Sequence, residues 1–518
     1  MDTKALRQKV LDLAIRGKLV PQDPNDEPAS VLLERIRQQK QQMVKEGKLK
    51  AKDIKNDTII FVGEDNLHYE KFADGSLKCI EDEIPFDLPD GWAWARLGTV
   101  AEAIGDGDHQ PPPQTSFGVP FLVISNVSGG RLSFENTRFV GEEYFRQLPE
   151  TRKPRNGDLL FTVTGSYGIP VLVDTDDKFC FQRHIAIIRP CIVSNRYLYV
   201  VLGSSYVKSI CDDKATGTAQ KTVGLATLRE LLIPIAPYKE QGQIYVQTQN
   251  ALSMVDSISS DKEDLLNIIE HTKSKILDLA IRGKLVPQDP DDDPASVLLE
   301  HIRAEKEELI RQGKIKRDKK ESVIFRGEDN SYYEKIGSEV RCIDEEILFE
   351  IPESWRWCRL CSLSDIIMGS SPSGESICDD QDFPEFHQGK SYFSDCMISY
   401  SGQHTKEITK MAEPGAVLLC VRAPVGEVNL TNRSICIGRG LAAIKAFDNI
   451  LEHFLFYWLQ AFKPVLVSKA TGTTFVAITT DVVKGLLIPV PSLHEQRRIL
   501  SRIQSAYAEL DKIEKSLN

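Results

Sequence analysis

Apolar residues along the chain follow two different spacings, which predict a helical frame and mixed α/β modules. Between Glu240 and Gly283 they recur at alternating intervals of three and four, which predicts one long helix with a coiled-coil seam. Gly283, like Gly17 earlier in the chain, is expected to end its helix. The predicted seam positions are 251, 255, 258, 265, 269, 276 and 279.

Short runs rich in Val, Ile and Phe predict strands elsewhere. In a first module the predicted strands are 120–125, 158–163, 170–174, 184–190 and 231–237, with a helix over 195–211. A second module matches it, with strands in 415–421, 434–446 and 486–491 and a helix over 449–463. The pattern therefore predicts a mixed α/β fold.

The chain also contains an internal repeat, which is a strong signal of architecture. Residues 11–34 and 277–300 differ at only two positions, Asn25/Asp291 and Glu27/Asp293. Stretches 100–150 and 363–412, in contrast, share little. A duplicated helical frame therefore carries two modules of the same fold with different surfaces. Weaker echoes pair 61–71 with 325–335, 87–97 with 350–360, 155–173 with 413–430, and 215–241 with 470–496.

The two ends of the chain extend this repeat. The C-terminal segment repeats the beginning of the long central helix, and the N-terminal segment repeats its end. We therefore expect the two ends to meet as a split helix that pairs antiparallel with the central one about a pseudo-twofold axis. At ~1.5 Å per residue such a helix is about 60 Å long, which suits a spacer between modules.

Composition narrows the class of protein. The 518 residues suffice for two to four domains, and 41% hydrophobic with 27% charged residues is typical of soluble globular proteins. No apolar run approaches eighteen residues and the N-terminus is charged, so we expect neither a membrane span nor a signal peptide. Eleven cysteines without framework spacing favour a reducing compartment and a cytoplasmic protein. The net charge of −11 argues against attraction of the whole surface to nucleic acid but leaves a local basic groove open.

Catalytic motifs are absent or incomplete in the sequence. Gly389–Ser391 resembles the end of a phosphate-binding loop, but Pro384 stands where the first glycine is needed. The glycines in 103–110 do not complete a dinucleotide-binding fingerprint. The C-x-x-C of Cys358 and Cys361 has no second pair with which to bind zinc. We therefore expect no catalysis, no metal site and no cofactor bound by this chain.

Polar loops suited to DNA recur in both modules. Residues 215–218 and 470–473 both read Ala-Thr-Gly-Thr, and threonine hydroxyls and glycine amides contact DNA phosphates without reading sequence. A turn with hydroxyl caps is the alternative interpretation. Base reading needs side chains that differ between the modules, such as Arg or Lys for guanine and Gln for adenine. For any single residue a solvated loop is at least as good an interpretation. The candidate DNA-contacting residues are Asp106, Asp108, His109, Gln110, Ser166, Tyr167, Gln182, Arg183, Thr216, Thr218, Gln220 and Lys221 in the first module, and Ser370, Ser371, Ser373, Gln388, Lys390, Arg422, Arg439, Thr471, Thr473 and Thr474 in the second.

These features together resemble the specificity subunit of type I restriction–modification systems. The resemblance rests on the two LDLAIRGKLVPQDP segments, the Glu-Gln helix starts at 240–241 and 495–496, the Trp-containing module entries and the ATGT–LLIP module exits. It implies two target-recognition domains of one α/β fold, joined by a pair of long antiparallel helices. The predicted divisions are a helical region (1–40), a linker or hairpin (41–94), a first recognition domain (95–237), a central helical region (238–302), a second linker or hairpin (303–357), a second recognition domain (358–492) and the C-terminal half of the split helix (493–518).

The resemblance also implies function and partners. Each recognition domain would read one half of an interrupted double-stranded DNA target, and two modification subunits would methylate one adenine per half-site with S-adenosylmethionine. Restriction subunits using ATP and Mg²⁺ would join the same assembly. We expect Arg16 and Arg282 on the frame to contact the modification subunits. Three alternatives stay open, namely the recognition subunit of a system with a fused cleavage and methylation partner, a protein-binding scaffold without DNA, and a self-contained nuclease.

Overall fold

The chain folds as two units, residues 1–262 and 263–518, which divide within one long helix. The computed structural model describes residues 2–107, 112–217, 220–317, 321–447, 450–471 and 476–517. Among these residues, none of the helices combines the length and the apolar character needed to cross a membrane.

Unit one begins with frame helices and continues into the first module. Its helices are α1 (Thr3–Ile15), α2 (Ala29–Lys45), α3 (Leu97–Val100), α4 (Glu142–Gln147), α5 (Asn195–Leu202), α6 (Ser205–Lys214), α7 (Leu225–Glu230) and the start of α8 (Tyr238–Ile281). Its strands are β1 (Ile59–Val62), β2 (His68–Lys71), β3 (Leu77–Cys79), β4 (Ala93–Arg96), β5 (Ala101–Asp106), β6 (Gln114–Thr115), β7 (Val119–Leu122), β8 (Arg138–Val140), β9 (Leu159–Thr162), β10 (Pro170–Leu172), β11 (Cys180–Phe181), β12 (Ile185–Pro190) and β13 (Leu232–Ile235).

Unit two contains the rest of α8 and a matching series. Its helices are α9 (Ala295–Arg311), α10 (Leu360–Leu363), α11 (Glu452–Ala461), α12 (Lys463–Ser468), α13 (Thr480–Lys484) and α14 (Leu493–Leu517). Its strands are β14 (Ser322–Arg326), β15 (Tyr332–Ile336), β16 (Glu339–Cys342), β17 (Arg356–Arg359), β18 (Ser364–Met368), β19 (Ile377–Cys378), β20 (Phe386–His387), β21 (His404–Thr405), β22 (Met411–Ala412), β23 (Val417–Cys420), β24 (Val428–Leu430), β25 (Ile435–Ile437), β26 (Leu441–Ala446) and β27 (Leu487–Val490).

Each module is built around the same four-stranded antiparallel sheet. The strand order is β10-β9-β12-β5 in unit one and β24-β23-β26-β18 in unit two. The central strands β9 and β23 are mostly apolar, and all four residues of each are buried, including Thr162 at the end of β9. The mixed α/β fold and the two modules of one fold are therefore confirmed.

Two smaller sheets recur beside the main one. A parallel pair joins β7 to β11 in unit one and β20 to β25 in unit two. The module entry and exit also pair antiparallel, β4 with β13 and β17 with β27. Segments 41–94 and 303–357 contain three-stranded sheets, β1-β2-β3 and β14-β15-β16.

The long helix runs from Tyr238 to Ile281, close to its predicted range. Its seam is buried at Val255 and Ile269, but Ile258 and Leu265 are 40% and 43% exposed, so the predicted seam is wrong at those two positions. The periodicity locates an apolar stripe, but burial needs a covering partner.

Two other helices contact α8 near the two ends of the predicted seam. In unit one, Arg7 on α1 bonds Asp256, and in unit two Lys273 bonds Asp511 on α14. Within each unit the short helix thus lies beside its own half of α8. That the first and last helices meet end to end stays a prediction, as do the predicted domain limits.

A buried carboxylate joins the frame to the module in each unit. In unit one, Glu240 at the start of α8 accepts hydrogen bonds from Trp92 Nε1 (3.0 Å) and Gln22 Nε2 (3.3 Å). In unit two, Glu495 accepts the equivalent bonds from Trp355 Nε1 (2.9 Å) and Gln288 Nε2 (2.5 Å). Burial raises the pKa of both carboxyl groups, partly offset by these bonds. The junction therefore orients each module against its helix.

Candidate nucleic-acid interface

In unit one, the candidate residues gather at one edge of the four-stranded sheet. β5 ends at Asp106, opposite Ala186 on β12, and β9 ends at Thr162, opposite Ile185. The loops after β5 and β9 and the turn before β12 therefore share one edge. Gln182 and Arg183 lie on that turn.

The same edge in unit two carries different side chains. β18 ends at Met368 opposite Ala442, and Cys420 on β23 lies opposite Leu441. Ser370, Arg422 and Arg439 follow these strand ends or precede the next strand, so they share the edge. At this edge the side-chain oxygen of Ser371 donates to Oε1 of Gln388 at 3.0 Å and accepts from the backbone N–H of Arg439 at 3.3 Å.

The recurring Ala-Thr-Gly-Thr loops reach the same edge. In unit one, Thr216 and Thr222 exchange backbone hydrogen bonds of 3.0 and 2.8 Å. The Thr222 hydroxyl lies 3.1 Å from that of Thr164, just after β9. The amide of Gly165 donates to the carbonyl of Lys221 at 3.1 Å. The loop thus packs on the loop that follows the central strand, and leaves Thr216, Gln220 and Lys221 exposed.

Unit two builds this contact with other residues. Thr471 exchanges two 3.0 Å backbone hydrogen bonds with Ala477, and Arg422 pairs with Ala477 across a β-bridge. Ala423 donates its amide to the carbonyl of Val476 at 3.1 Å. Arg422 therefore occupies the place that Thr164 has in unit one.

Other candidates are engaged in local contacts. The Tyr167 hydroxyl donates to Asp212 at 2.8 Å, a hydrogen bond that raises the pKa of Tyr167, and the Lys208 ammonium lies 3.9 Å from the centre of its ring. Ser166, on the same loop, is exposed.

Ser373 and Lys390 are held by acidic side chains. The backbone amide of Ser373 donates to Glu407 at 2.8 Å, and Lys390 lies 3.7 Å from Glu427. Glu407 and Glu427 lie on neighbouring loops, so these contacts do not join Ser373 or Lys390 to the hydrogen-bonded pair Ser371 and Gln388. Six further candidates lie outside the described residues: Asp108, His109, Gln110, Thr218, Thr473 and Thr474.

Sequence reasoning missed several residues at this edge. Thr164 and Thr222 pair across it, and Arg152 lies 3.7 Å from Asp106. No local signal marks them, because the partners are far apart in the chain and meet only through the sheet. The recurrence of the Ala-Thr-Gly-Thr loop was the only available hint that residues after it matter.

A buried charge network anchors Gln388. Nε2 of the adjacent His387 donates to the Glu385 carboxylate at 2.7 Å, and this carboxylate also accepts from the Arg433 guanidinium (2.6 and 2.9 Å) and the Ser401 amide (2.8 Å). Burial raises the pKa of Glu385, but hydrogen bonds from Arg433, Ser401 and His387 outweigh it and lower the pKa to about 2. Burial also lowers the pKa of His387. The exposed Gln388 side chain is thus carried on a rigid strand end.

Arg16 and Arg282 are bonded within their own units. Arg16 pairs with Asp12 at 2.9 Å and lies 4.2 Å from the centre of the Phe86 ring. Arg282 pairs with Asp278 at 2.7 Å and lies 4.5 Å from the Phe349 ring. Their contact with a partner subunit stays a prediction, and replacing them would also remove these internal contacts.

The two thiols of the C-x-x-C motif lie in the interior of the protein. Cys358 and Cys361 are both buried, and burial raises the pKa of the Cys358 thiol. Within the described ranges, no three His, Cys, Asp or Glu side chains are grouped as metal ligands.

Comparison with known proteins shows what the sequence and the fold of this chain are similar to. Residues 352–518 match the family model described as the type I restriction modification DNA specificity domain. The chain is 30% identical to the EcoAI specificity subunit and 29% identical to the EcoEI specificity subunit, both from Escherichia coli. Each alignment covers 71% of this chain, and the chain spans 63% of the length of each of these relatives.

Two further proteins align with this chain over a larger share of their own length. A putative MjaX specificity subunit from Methanocaldococcus jannaschii is 25% identical over 81% of this chain and 87% of its own length. A chain solved in work on complex assembly and conformational transition of the type I R-M system aligns with a TM-score of 0.54 at 25% identity, covering 84% of this chain and 94% of that one. In sequence and in fold, the chain is therefore similar to type I restriction enzyme specificity subunits, and its residues 352–518 match their DNA specificity domain.

Proposed function

We propose that this chain is the DNA sequence-recognition subunit of a type I restriction–modification complex, with each module reading one half of an interrupted target. One observation carries the proposal. The two units present polar loops at the same sheet edge, and the side chains there differ although the frame junction is the same. Such an arrangement suits two readers of different half-sites held in one geometry.

The chemistry of the edge supports DNA as the ligand. Unit one offers Gln182, Arg183 and Lys221, and unit two offers Gln388 and Arg439, all on loops at strand ends. Arginine, lysine and glutamine are the residues that pair with base edges in the major groove, and they also contact phosphates.

In this proposal, the methylation and cleavage of DNA are carried out by partner subunits. The recognition subunit itself performs no catalytic step, and two modification subunits methylate adenine with S-adenosylmethionine. Restriction subunits that use ATP and Mg²⁺ cleave unmodified DNA. The complex would act in the cytoplasm, where the host chromosome and incoming DNA are accessible.

Methylome sequencing of the host with and without the gene tests the proposal. We expect one interrupted motif, with a modified adenine in each half, to disappear with the gene. Exchange of residues 95–237 for a homologous module should then alter one half-site only, and exchange of 358–492 should alter the other. A change of both halves by either exchange would contradict independent readers, and an unchanged methylome would contradict the function.

A further inference from the structure

An arginine occupies the same turn in both modules. In unit one, Arg183 lies between β11 and β12, on a turn closed by a hydrogen bond from Ile185 N–H to the Gln182 carbonyl (3.1 Å). In unit two, Arg439 lies between β25 and β26, and Leu441 N–H donates to the Gly438 carbonyl at 3.0 Å. The arginine is the second residue of the turn in each case.

The backbone holds this turn from both sides. In unit one, the amide before the arginine, of Gln182, donates to the Leu122 carbonyl (3.1 Å), and the carbonyl after it, of His184, accepts from Val163 (2.9 Å). The same two bonds recur in unit two. There Gly438 donates to His387 (2.8 Å) and Gly440 accepts from Val421 (3.0 Å).

In each unit another segment of the chain passes close to this turn, and a glycine stands at the point of contact. A Cβ at Gly107 would lie 2.0 Å from the Phe181 carbonyl oxygen, and a Cβ at Gly369 would lie 2.2 Å from that of Gly438. No side chain fits at either crossing, since such contacts are far shorter than a van der Waals distance. The turn is therefore confined between two strands and a crossing segment, which positions its arginine.

The two guanidinium groups are available for a ligand. Arg183 and Arg439 are both exposed, and neither has an ion-pair partner among the residues whose placement is described. Other arginines of the same modules are already engaged. Arg189, for instance, is bonded to the buried Asp158, and Arg433 to Glu385.

The neighbours of these arginines differ while the arginines themselves recur. Gln182 and His184 flank the first, and glycines 438 and 440 flank the second. A group shared by two modules that read different sequences points to the part of DNA that is the same in both half-sites, the phosphate backbone.

We propose that Arg183 and Arg439 are matched phosphate anchors, one per half-site, which position each module on the duplex without reading its sequence. This inference rests on the proposed function, and it reassigns two residues that sequence reasoning grouped with base readers. Side chains beside each anchor, such as Gln182 and Gln388, are then left to discriminate bases.

Salt dependence of DNA binding tests the anchors. The full-length chain, assembled with its modification subunits, is titrated with a target duplex and with an unrelated duplex between 50 and 200 mM salt. Neutralising one phosphate contributes about 0.9 to the slope of log K against log salt. We expect Arg183→Gln and Arg439→Gln each to reduce the slope by about 0.9 on both duplexes, and the double variant by about 1.8.

Matched variants separate the possible outcomes. Arg183→Lys and Arg439→Lys keep the charge and should keep the slope, and Arg311→Gln on α9 should leave binding unchanged. The ratio of affinities for the two duplexes should be unaffected. If the slope of log K against log salt were unchanged, with or without a loss of preference at one base, the assignment of the two arginines as phosphate anchors would be wrong. Equal affinity of the unsubstituted assembly for both duplexes would instead overturn sequence recognition, while the slopes would still decide the anchors.

Discussion

The frame junction and the sheet edge show opposite patterns in the two units. At the junction, Trp92 to Glu240 and Trp355 to Glu495 have nearly the same geometry, at 3.0 and 2.9 Å. At the edge, Thr164 is replaced by Arg422. The junction depends on specific buried side chains, so any change there costs stability.

The edge is held by backbone hydrogen bonds, which are the same in both units. Val163 donates to His184 at 2.9 Å, and Val421 donates to Gly440 at 3.0 Å, although histidine and glycine share no side-chain chemistry. Backbone bonds of this kind tolerate almost any side chain. The comparison teaches that this protein separates its geometry, which buried side chains set, from its contact chemistry, which exposed side chains carry.

A buried ion pair links the hairpin sheet to the module in both units. Arg96 bonds Glu70, and Arg359 bonds Glu334 with two contacts of 2.9 and 2.8 Å. Burial alone raises the pKa of Glu70, but hydrogen bonds from Arg96 and Thr58 outweigh it and lower the pKa. The hydrogen bond from Arg359 lowers the pKa of Glu334 to about 2.

The largest expected effect comes from breaking this pair. Arg359→Ala leaves the Glu334 carboxylate buried without its main partner, and we expect it to reduce the free energy of unfolding by about 3–5 kcal/mol. Arg96→Ala should act similarly in unit one. Arg341→Ala is the control, because Arg341 bonds the same Glu334 but is 56% exposed, and it should cost about 1 kcal/mol or less. Urea unfolding followed by tryptophan fluorescence measures all three. Equal losses for Arg359→Ala and Arg341→Ala would mean that burial does not set the energy of the pair.

An intermediate effect is expected at the sheet edge. Gln388→Ala removes an exposed side chain, so the free energy of unfolding should change by no more than about 0.5 kcal/mol. Discrimination at one base of the second half-site should fall by about 1–3 kcal/mol, as for loss of a bidentate contact. Gln220→Ala, on the exposed Ala-Thr-Gly-Thr loop of unit one, should affect only the first half-site. Binding of duplexes that differ by single base pairs measures both, and an effect of Gln388→Ala on the first half-site would contradict the separation of the two modules.

The smallest expected effect is a pH dependence at the junction. Because burial raises the pKa of Glu495, its contribution to stability is present below the pKa of an unfolded glutamate and is lost as the pH rises through the folded value. The difference in unfolding free energy between the unsubstituted protein and Glu495→Gln should therefore decrease from pH 4 to pH 7, by about 1.4 kcal/mol for each unit of pKa elevation.

Glu334→Gln provides the contrast in sign. The pKa of Glu334 is lowered to about 2, so its contribution is present above the unfolded pKa near 4.5 and is lost as the pH falls towards 2. Denaturant unfolding at a series of pH values measures both variants. A parallel pH trend in the two variants would contradict the assigned environments.

Much of the architecture was predictable from local patterns and from the repeat. The helix expected over 240–283 runs over Tyr238–Ile281, and the strand expected over 158–163 runs over Leu159–Thr162. These elements follow from periodicity and β-propensity, which act over a few neighbouring residues. The repeat added the expectation of two modules with one topology, since two copies of one sequence pattern fold alike.

Which side chains meet at the sheet edge could be learned only from the tertiary structure. Ser371 meets Gln388, and Thr164 meets Thr222, across separations that no local pattern encodes. Glu385 and Arg433 are likewise joined only when β20 and β25 pair. The equivalence of Arg183 and Arg439 became clear only from their identical turns.

The amino-acid sequence by itself determined the duplicated frame, the mixed α/β modules and the resemblance to a known family, because those depend on identities and spacings that can be read along the chain. Only the tertiary structure decided which polar residues share a surface, which are bonded internally, as Arg16 and Arg282 are, and which stay exposed. The physical reason is that hydrogen bonding and burial arise between segments brought together by strand pairing, and they depend on distances in space that the order of residues does not give.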